Sequence, residues 1–307
     1  MAAMFRGLAA YPITSADADG VVDVAALRRL VRRLADAGVD AVGLLGSTGT
    51  YAYLTRAERR RAIEAAVDEA GGAVPVMAGI GALRTDAAVA LATDARAAGA
   101  AAGLLAPVSY TPLTDEEVFV HFQTVAADSG LPICVYNNPA TTHFSFSPEL
   151  EGRLAQLPGV VAVKNGAPAT GAAAHLADLR GRVPAGFSLG YSADANAAEA
   201  IVAGGDVWHS VLGGVLPAPV LAIVRAAQGG DTAEARRLNG RLAPVWALFG
   251  QLSGLRVAYA MADLLGLAHA APPRPILPLG EADRARVAEA LKAIELADSA
   301  AASSAVG

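Results

Sequence analysis

Short apolar runs alternate with longer helical stretches eight times before residue 229, and that rhythm limits the possible folds more than any single motif. The runs are Phe5–Ala10, Ala41–Leu45, Val74–Gly79, Gly103–Ala106, Pro132–Tyr136, Val160–Lys164, Gly186–Gly190 and Val207–Val211. They lack the polar alternation of a half-solvated sheet, as expected of strands covered on both faces. After them come Val24–Ala37, with Asp23 as N-cap and Gly38 as stop, and a helix opened by Thr55 that reaches about Ala70. Glu58 stands three residues after Thr55, the capping-box spacing. Asp86–Ala98, a helix from near Asp115, Pro148–Leu157, Ala172–Leu179, Ala193–Ala203 and Pro217–Gln228 complete the set.

Strand–helix alternation predicts a parallel sheet. Eight units closing on themselves predict an α/β fold of the (β/α)8 barrel type over residues 1–228. An open doubly wound sheet is the competing arrangement, but no Gly-x-Gly-x-x-Gly follows the first run. Beyond Gly230 the strands stop. Asp231–Leu248, Ser253–Leu265 and Ala282–Ala297 predict three helices, forming a helical region over 229–297 that is interrupted by Ala271-Pro272-Pro273-Arg274-Pro275. Residues 298–307, rich in Ala and Ser, are expected to be disordered.

Several functional classes are set aside early. A net charge of -5 without a basic cluster argues against nucleic acid. No apolar run reaches the ~18 residues of a membrane span. The first ten residues lack the regions of a signal peptide, so a cytoplasmic protein is expected. Cys134, the single cysteine, excludes an internal disulfide and sits in an apolar run, where a small buried hydrophobe is the simplest reading.

The barrel rule places an active site at the C-terminal ends of the strands. Lys164 ends the sixth run, just before an Asn165-Gly166 turn. Of 24 basic residues only Lys164 and Lys292 are lysines, so a chain that otherwise uses arginine puts an amine here. Burial at a strand end favours the neutral amine, which is a nucleophile, whereas arginine is not. Tyr136 ends the adjacent fifth run and can pass protons. The turn Gly46-Ser47-Thr48-Gly49-Thr50 after the second run can cradle a carboxylate. Ser109 and Tyr110, Gly190, and His209 with Ser210 end other runs. The blander alternatives are a structural lysine, a rim tyrosine and an ordinary turn. His143 and His209 lack a second ligand at metal spacing and read as lone histidines.

The turn Gly46-Ser47-Thr48-Gly49, the sequence Tyr136-Asn137-x-Pro139 and Lys164 together resemble the dihydrodipicolinate synthase / N-acetylneuraminate lyase family. The resemblance spans nearly the whole chain. It implies a (β/α)8 barrel, a homotetramer, and no metal or organic cofactor. It also implies a Schiff base between Lys164 and a 2-oxo acid such as pyruvate, with Tyr136 as proton relay. Ser47 and Thr48 then hold the carboxylate, Thr48 stands with Tyr136 among the catalytic groups, and Gly190 and Ser210 touch the ligand. The family's relay tyrosine from a neighbouring subunit corresponds to Ser109, leaving Tyr110, one residue on, as the candidate for that role. Thr50 replaces an acid of the synthase turn. Thr141 replaces the arginine that holds a second carboxylate, and a hydroxyl cannot stand in for a bidentate guanidinium.

The expected function is therefore a Schiff-base lyase, aldolase or dehydratase, acting on pyruvate or a hydroxylated 2-oxo acid. Two alternatives stand beside it: 4-hydroxy-tetrahydrodipicolinate (dihydrodipicolinate) synthase, and a non-catalytic family member that binds 2-oxo acids.

Overall fold

Eight parallel strands close into a barrel in sequence order. The computed structural model describes residues 5–304, with side chains through Ile294. The strands are β1 (Gly7–Ala10), β2 (Ala41–Leu44), β3 (Val76–Gly79), β4 (Ala102–Leu105), β5 (Ile133–Tyr136), β6 (Val160–Gly166), β7 (Ser188–Ser192) and β8 (Val207–Ser210). Closure is made by β1 and β8, where Ala9 pairs with His209 and Ala10 with Ser210. The expected barrel is therefore present, with each strand end within two residues of its sequence-read position.

The helices pack outside. They include α1 (Val24–Asp36), α2 (Arg56–Ala70), α3 (Thr85–Ala97), α4 (Asp115–Ser129), a short α5 (Pro139–Thr142) and α6 (Pro148–Leu154). α7 (Ala172–Arg180), α8 (Asp194–Val202) and α9 (Pro217–Gln228) follow. Their starts have local causes. The Asp23 carboxylate accepts from the Ala26 N–H at the head of α1. Thr114 and Glu117 form a full capping box at α4. At α2 only half of the expected box forms. Thr55 accepts from the Glu58 N–H, but the Glu58 carboxylate accepts from the Val22 N–H at 2.7 Å instead of turning back. A tertiary partner has displaced the local one.

Two apolar layers result. Leu27, Leu30, Val31 and Leu34 of α1 join Val42, Leu44, Ile133 and Val163 in the layer between strands and helices. Inside the barrel lie Ala9, Ala41, Met77, Ala102, Leu104, Cys134, Ala162 and Val207. Cys134 is fully buried there, and burial pushes its thiol up to about 12, partly opposed by Lys164. It is the small buried hydrophobe expected from sequence.

The C-terminal region contains four helices where three were expected: α10 (Thr232–Arg241), α11 (Ala243–Leu252), α12 (Gly254–Leu264) and α13 (Glu281–Ser304). The expected helix Asp231–Leu248 breaks at Leu242. Pro244 is the cause, because its ring lacks an N–H and clashes with the carbonyl four residues back, which restarts the helix as α11. The backbone of α13 runs to Ser304, so part of the tail expected to be disordered is drawn as helix; residues 305–307 lie outside the described residues. Among the described residues no helix is long and apolar enough to cross a membrane.

Candidate active site

Strand β6 is buried along almost its whole length. Alternation along a strand turns Ala162 and Lys164 inward and Val163 and Asn165 outward. Lys164 is 4% exposed. Its two cross-strand partners are Tyr136 on β5 and Gly190 on β7, so the amine and the tyrosine read from sequence stand side by side. The Lys164 Nζ lies 3.9 Å from the ring centroid of Tyr11 and 4.1 Å from that of Tyr136. Two π faces thus flank the amine, an arrangement that attracts and orients its cationic form. No carboxylate pairs with it in an ion pair among the described residues, which removes the bland reading of a structural salt-bridged lysine.

The Tyr136 hydroxyl is held from two sides. The Asn138 side-chain amide donates to it at 2.8 Å, and the Ser47 hydroxyl stands 3.3 Å away. Because the amide can only donate, the phenol oxygen accepts there, and its own proton is available to Ser47. Of the three hydroxyls in the Gly46–Thr50 turn, Ser47 is the one that reaches Tyr136. Thr48, buried, lies beside it. Asn138, the unspecified position in Tyr136-Asn137-x-Pro139, is a site residue that the sequence reading missed.

Residues following the two central side chains face outward onto one carboxylate. The Asn137 amide donates to Glu151 at 2.9 Å and to the Asn165 oxygen at 3.0 Å, and the Asn165 amide donates to Glu151 at 3.1 Å. Glu151, on α6, thereby ties together the ends of β5 and β6. Burial raises its pKa, opposed by the Asn165 and Asn137 hydrogen bonds.

The remaining positions divide. Gly190 is required by close packing: a Cβ there would sit 2.3 Å from His209 Nε2 and 2.6 Å from Val207 Cγ1. The Ser210 hydroxyl donates to Asp194 at 3.1 Å and accepts from the Gly213 N–H at 2.8 Å, so it is engaged within the fold. Asp194 also accepts from Trp208 Nε1 at 2.8 Å and the Leu212 N–H at 2.7 Å, and burial raises its pKa against those bonds. Tyr110 is 96% exposed on the loop after β4 and no hydrogen bond among the described residues joins it to the cluster. Ser109 donates within the same loop, to the Thr111 carbonyl. Thr141 is exposed, its hydroxyl donating to the Asn138 carbonyl at 3.3 Å. Thr50 is buried with positive φ, its hydroxyl 3.4 Å from that of Tyr259 on α12.

Of the two histidines, His143 is exposed and caps α5 in a left-handed conformation. His209 has a hydrogen-bond partner that the sequence did not show. Its Nδ1 lies 3.0 Å from the Tyr11 hydroxyl, both groups fully buried beside Lys164. Burial drives the His209 pKa well below its usual value, with the Lys164 charge acting in the same direction. Burial raises that of Tyr11, helped by Cys134 and Tyr136. No group of three or more His, Cys, Asp or Glu among the described residues is disposed to hold a metal.

The model of the dihydrodipicolinate synthetase family matches residues 4–294. The chain belongs to that family. It is a lyase of the class I aldolase type. Among curated relatives, the 4-hydroxy-tetrahydrodipicolinate synthase of Thiobacillus denitrificans is 36% identical over 292 residues, covering 95% of this chain and 97% of that protein. Among solved structures, the dihydrodipicolinate synthase of Agrobacterium tumefaciens str. C58 is 55% identical with a TM-score of 0.94, covering 95% of this chain and 99% of that one. The Acinetobacter baumannii enzyme, solved in complex with pyruvate, is 27% identical with a TM-score of 0.87, over 95% of this chain and 99% of its own. The sequence-read family and barrel are both borne out.

Proposed function

We propose that Lys164 forms an imine with a 2-oxo acid and that the chain uses it to cleave or dehydrate a hydroxylated 2-oxo acid. The observation that carries the reading is the Lys164 amine between the Tyr11 and Tyr136 rings, with the Tyr136 hydroxyl set by Ser47 and Asn138. The free amine attacks C2 of the ketone, and the oxygen leaves as water. The iminium then accepts the electron pair of a breaking C–C bond, while Tyr136 takes the proton of the substrate hydroxyl and passes it by way of Ser47. Ser47 and Thr48 hold the carboxylate. No metal or organic cofactor enters this scheme.

The choice of a hydroxylated acid rests on Thr141 and Thr50. Thr141 supplies no guanidinium for a second carboxylate, and Thr50 is occupied by Tyr259. Names of the relatives favour a second reading, condensation of pyruvate with aspartate semialdehyde. Assaying both reactions, with Lys164→Met as control, separates them. Cleavage or dehydration of hydroxylated 2-oxo acids that outruns the condensation supports the first reading. Efficient condensation with no cleavage replaces it by the second.

We also infer a cytoplasmic homotetramer. Tyr110, Leu83 and Val120 expose apolar surface near the β4 loop, which subunit contact would cover, and Tyr110 would then reach a neighbouring relay. A monomeric dihydrodipicolinate synthase variant, 26% identical, is known among the solved structures, so solution mass is the test.

A further inference from the structure

The Tyr11–His209 pair lies outside the scheme above, yet it borders the amine. The Tyr11 hydroxyl has one hydrogen-bond partner among the described residues, the Nδ1 of His209 at 3.0 Å. A buried phenol whose proton has no other acceptor donates it to that nitrogen. The proton of His209 then sits on Nε2. That atom is buried and has no hydrogen-bond partner among the described residues. It occupies the space a side chain on Gly190 would fill, and Gly190 is paired directly with Lys164. So a fixed N–H donor on β8 points into the barrel interior two strands from the amine, across Gly190 of β7. Such a donor has lost its water without gaining a partner, which is costly.

Barrel geometry says which part of a ligand would meet it. The amine is on β6 and the hydroxyl turn follows β2, four strands apart and so on opposite walls. A 2-oxo acid bridging them, imine carbon to β6 and carboxylate to β2, sends the rest of its chain toward β4 or β8. On β4 the inward residues are Ala102 and Leu104, with Ala106 just past its end, all apolar. On β8 the inward residues are Val207, which is apolar, and His209, which carries the donor.

We propose that His209, held in one tautomer by Tyr11, is a specificity-determining residue that donates from Nε2 to a hydroxyl oxygen on the distal part of the bound 2-oxo acid. This rests on the imine reading and names the substrate feature that the site selects. A matched pair of probes tests it: 2-oxobutanoate and 4-hydroxy-2-oxobutanoate, which differ by one hydroxyl. Half-trapping concentrations under borohydride are measured for the unaltered chain, His209→Leu, His209→Gln and Tyr11→Phe. The expected result is a preference for the hydroxylated acid that falls about tenfold in His209→Leu, the size of one lost buried hydrogen bond. Gln, which keeps an N–H, restores part of it, and Tyr11→Phe, which keeps the ring but frees the imidazole, loses part. Equal weakening for both acids, or an unchanged ratio, overturns the proposal and leaves His209 a packing residue. Absence of any adduct in the unaltered chain overturns the imine reading itself, and this proposal with it.

Discussion

Substituting alanine for Gly43 tests the packing that brings Tyr11 beneath the amine. Gly43 is an inward residue of β2, and its φ is not among the positive values, so the backbone accepts alanine. The conflict is purely steric. A Cβ at Gly43 would lie 2.3 Å from Tyr11 Cζ, 2.4 Å from Cε1 and 2.5 Å from Cε2. Carbon atoms rest at about 3.5–4.0 Å, so the ring has to retreat by about 1–1.5 Å. Room is short: Lys164 Nζ covers the ring, and its hydroxyl is tied to His209. Overpacking costs about 1–3 kcal/mol, and breaking the buried Tyr11–His209 hydrogen bond adds about 1 kcal/mol. A loss of about 2–4 kcal/mol is expected in urea unfolding with an unchanged m-value. Tyr11→Ala should relieve the clash, so the double variant Gly43→Ala/Tyr11→Ala should be more stable than the sum of the single losses by at least about 1 kcal/mol. Strict additivity, or a loss under about 0.5 kcal/mol for Gly43→Ala, refutes the reasoning.

Three further outcomes follow from the same contacts. Asp194→Asn turns one acceptor of three donors into an amide that faces them, and a loss of about 2 kcal/mol in urea unfolding is expected; no loss would show that the Trp208, Ser210 and Leu212 bonds contribute nothing. Glu151→Gln places an amide against the Asn137 or Asn165 amide, and a stability loss of about 1–3 kcal/mol together with slower imine trapping at Lys164 is expected, because the ends of β5 and β6 loosen. His209 governs a pH dependence. Its folded pKa is depressed, so below the unfolded value near 6.5 only the unfolded chain takes up the proton, and stability falls as pH falls. The stability difference between the unaltered chain and His209→Leu should shift by up to about 1.4 kcal/mol per pH unit, against the unaltered chain, on acidifying below 6.5; a pH-independent difference contradicts a buried neutral imidazole.

The barrel was legible because each strand is short, apolar and bounded by turn residues, and some helices have a local start signal such as Asp23 or Thr55. The juxtaposition of Lys164 and Tyr136 was legible for the same reason: strand ends on neighbouring strands share a level. What escaped the sequence lies in long-range contacts. Tyr11 carries no local signal, since nothing nearby in the sequence says that its ring fills the space left by Gly43. His209 was read as lone because its partner is 198 residues away. Thr48 stood with Tyr136 among the expected catalytic groups, whereas the turn geometry puts Ser47 against the Tyr136 hydroxyl. Gly190 and Ser210 carry contacts of the fold, to His209 and Asp194, that one chain's spacing does not reveal. Pro244 did carry a break signal, outweighed by the continuous helical pattern around it.

Reductive trapping with pyruvate and borohydride, followed by peptide mass mapping, tests the central claim most directly. The predicted result is a single reduced pyruvyl adduct on the peptide containing Lys164, absent in Lys164→Arg and absent from Lys292. An adduct elsewhere, or none across a panel of 2-oxo acids, contradicts the account.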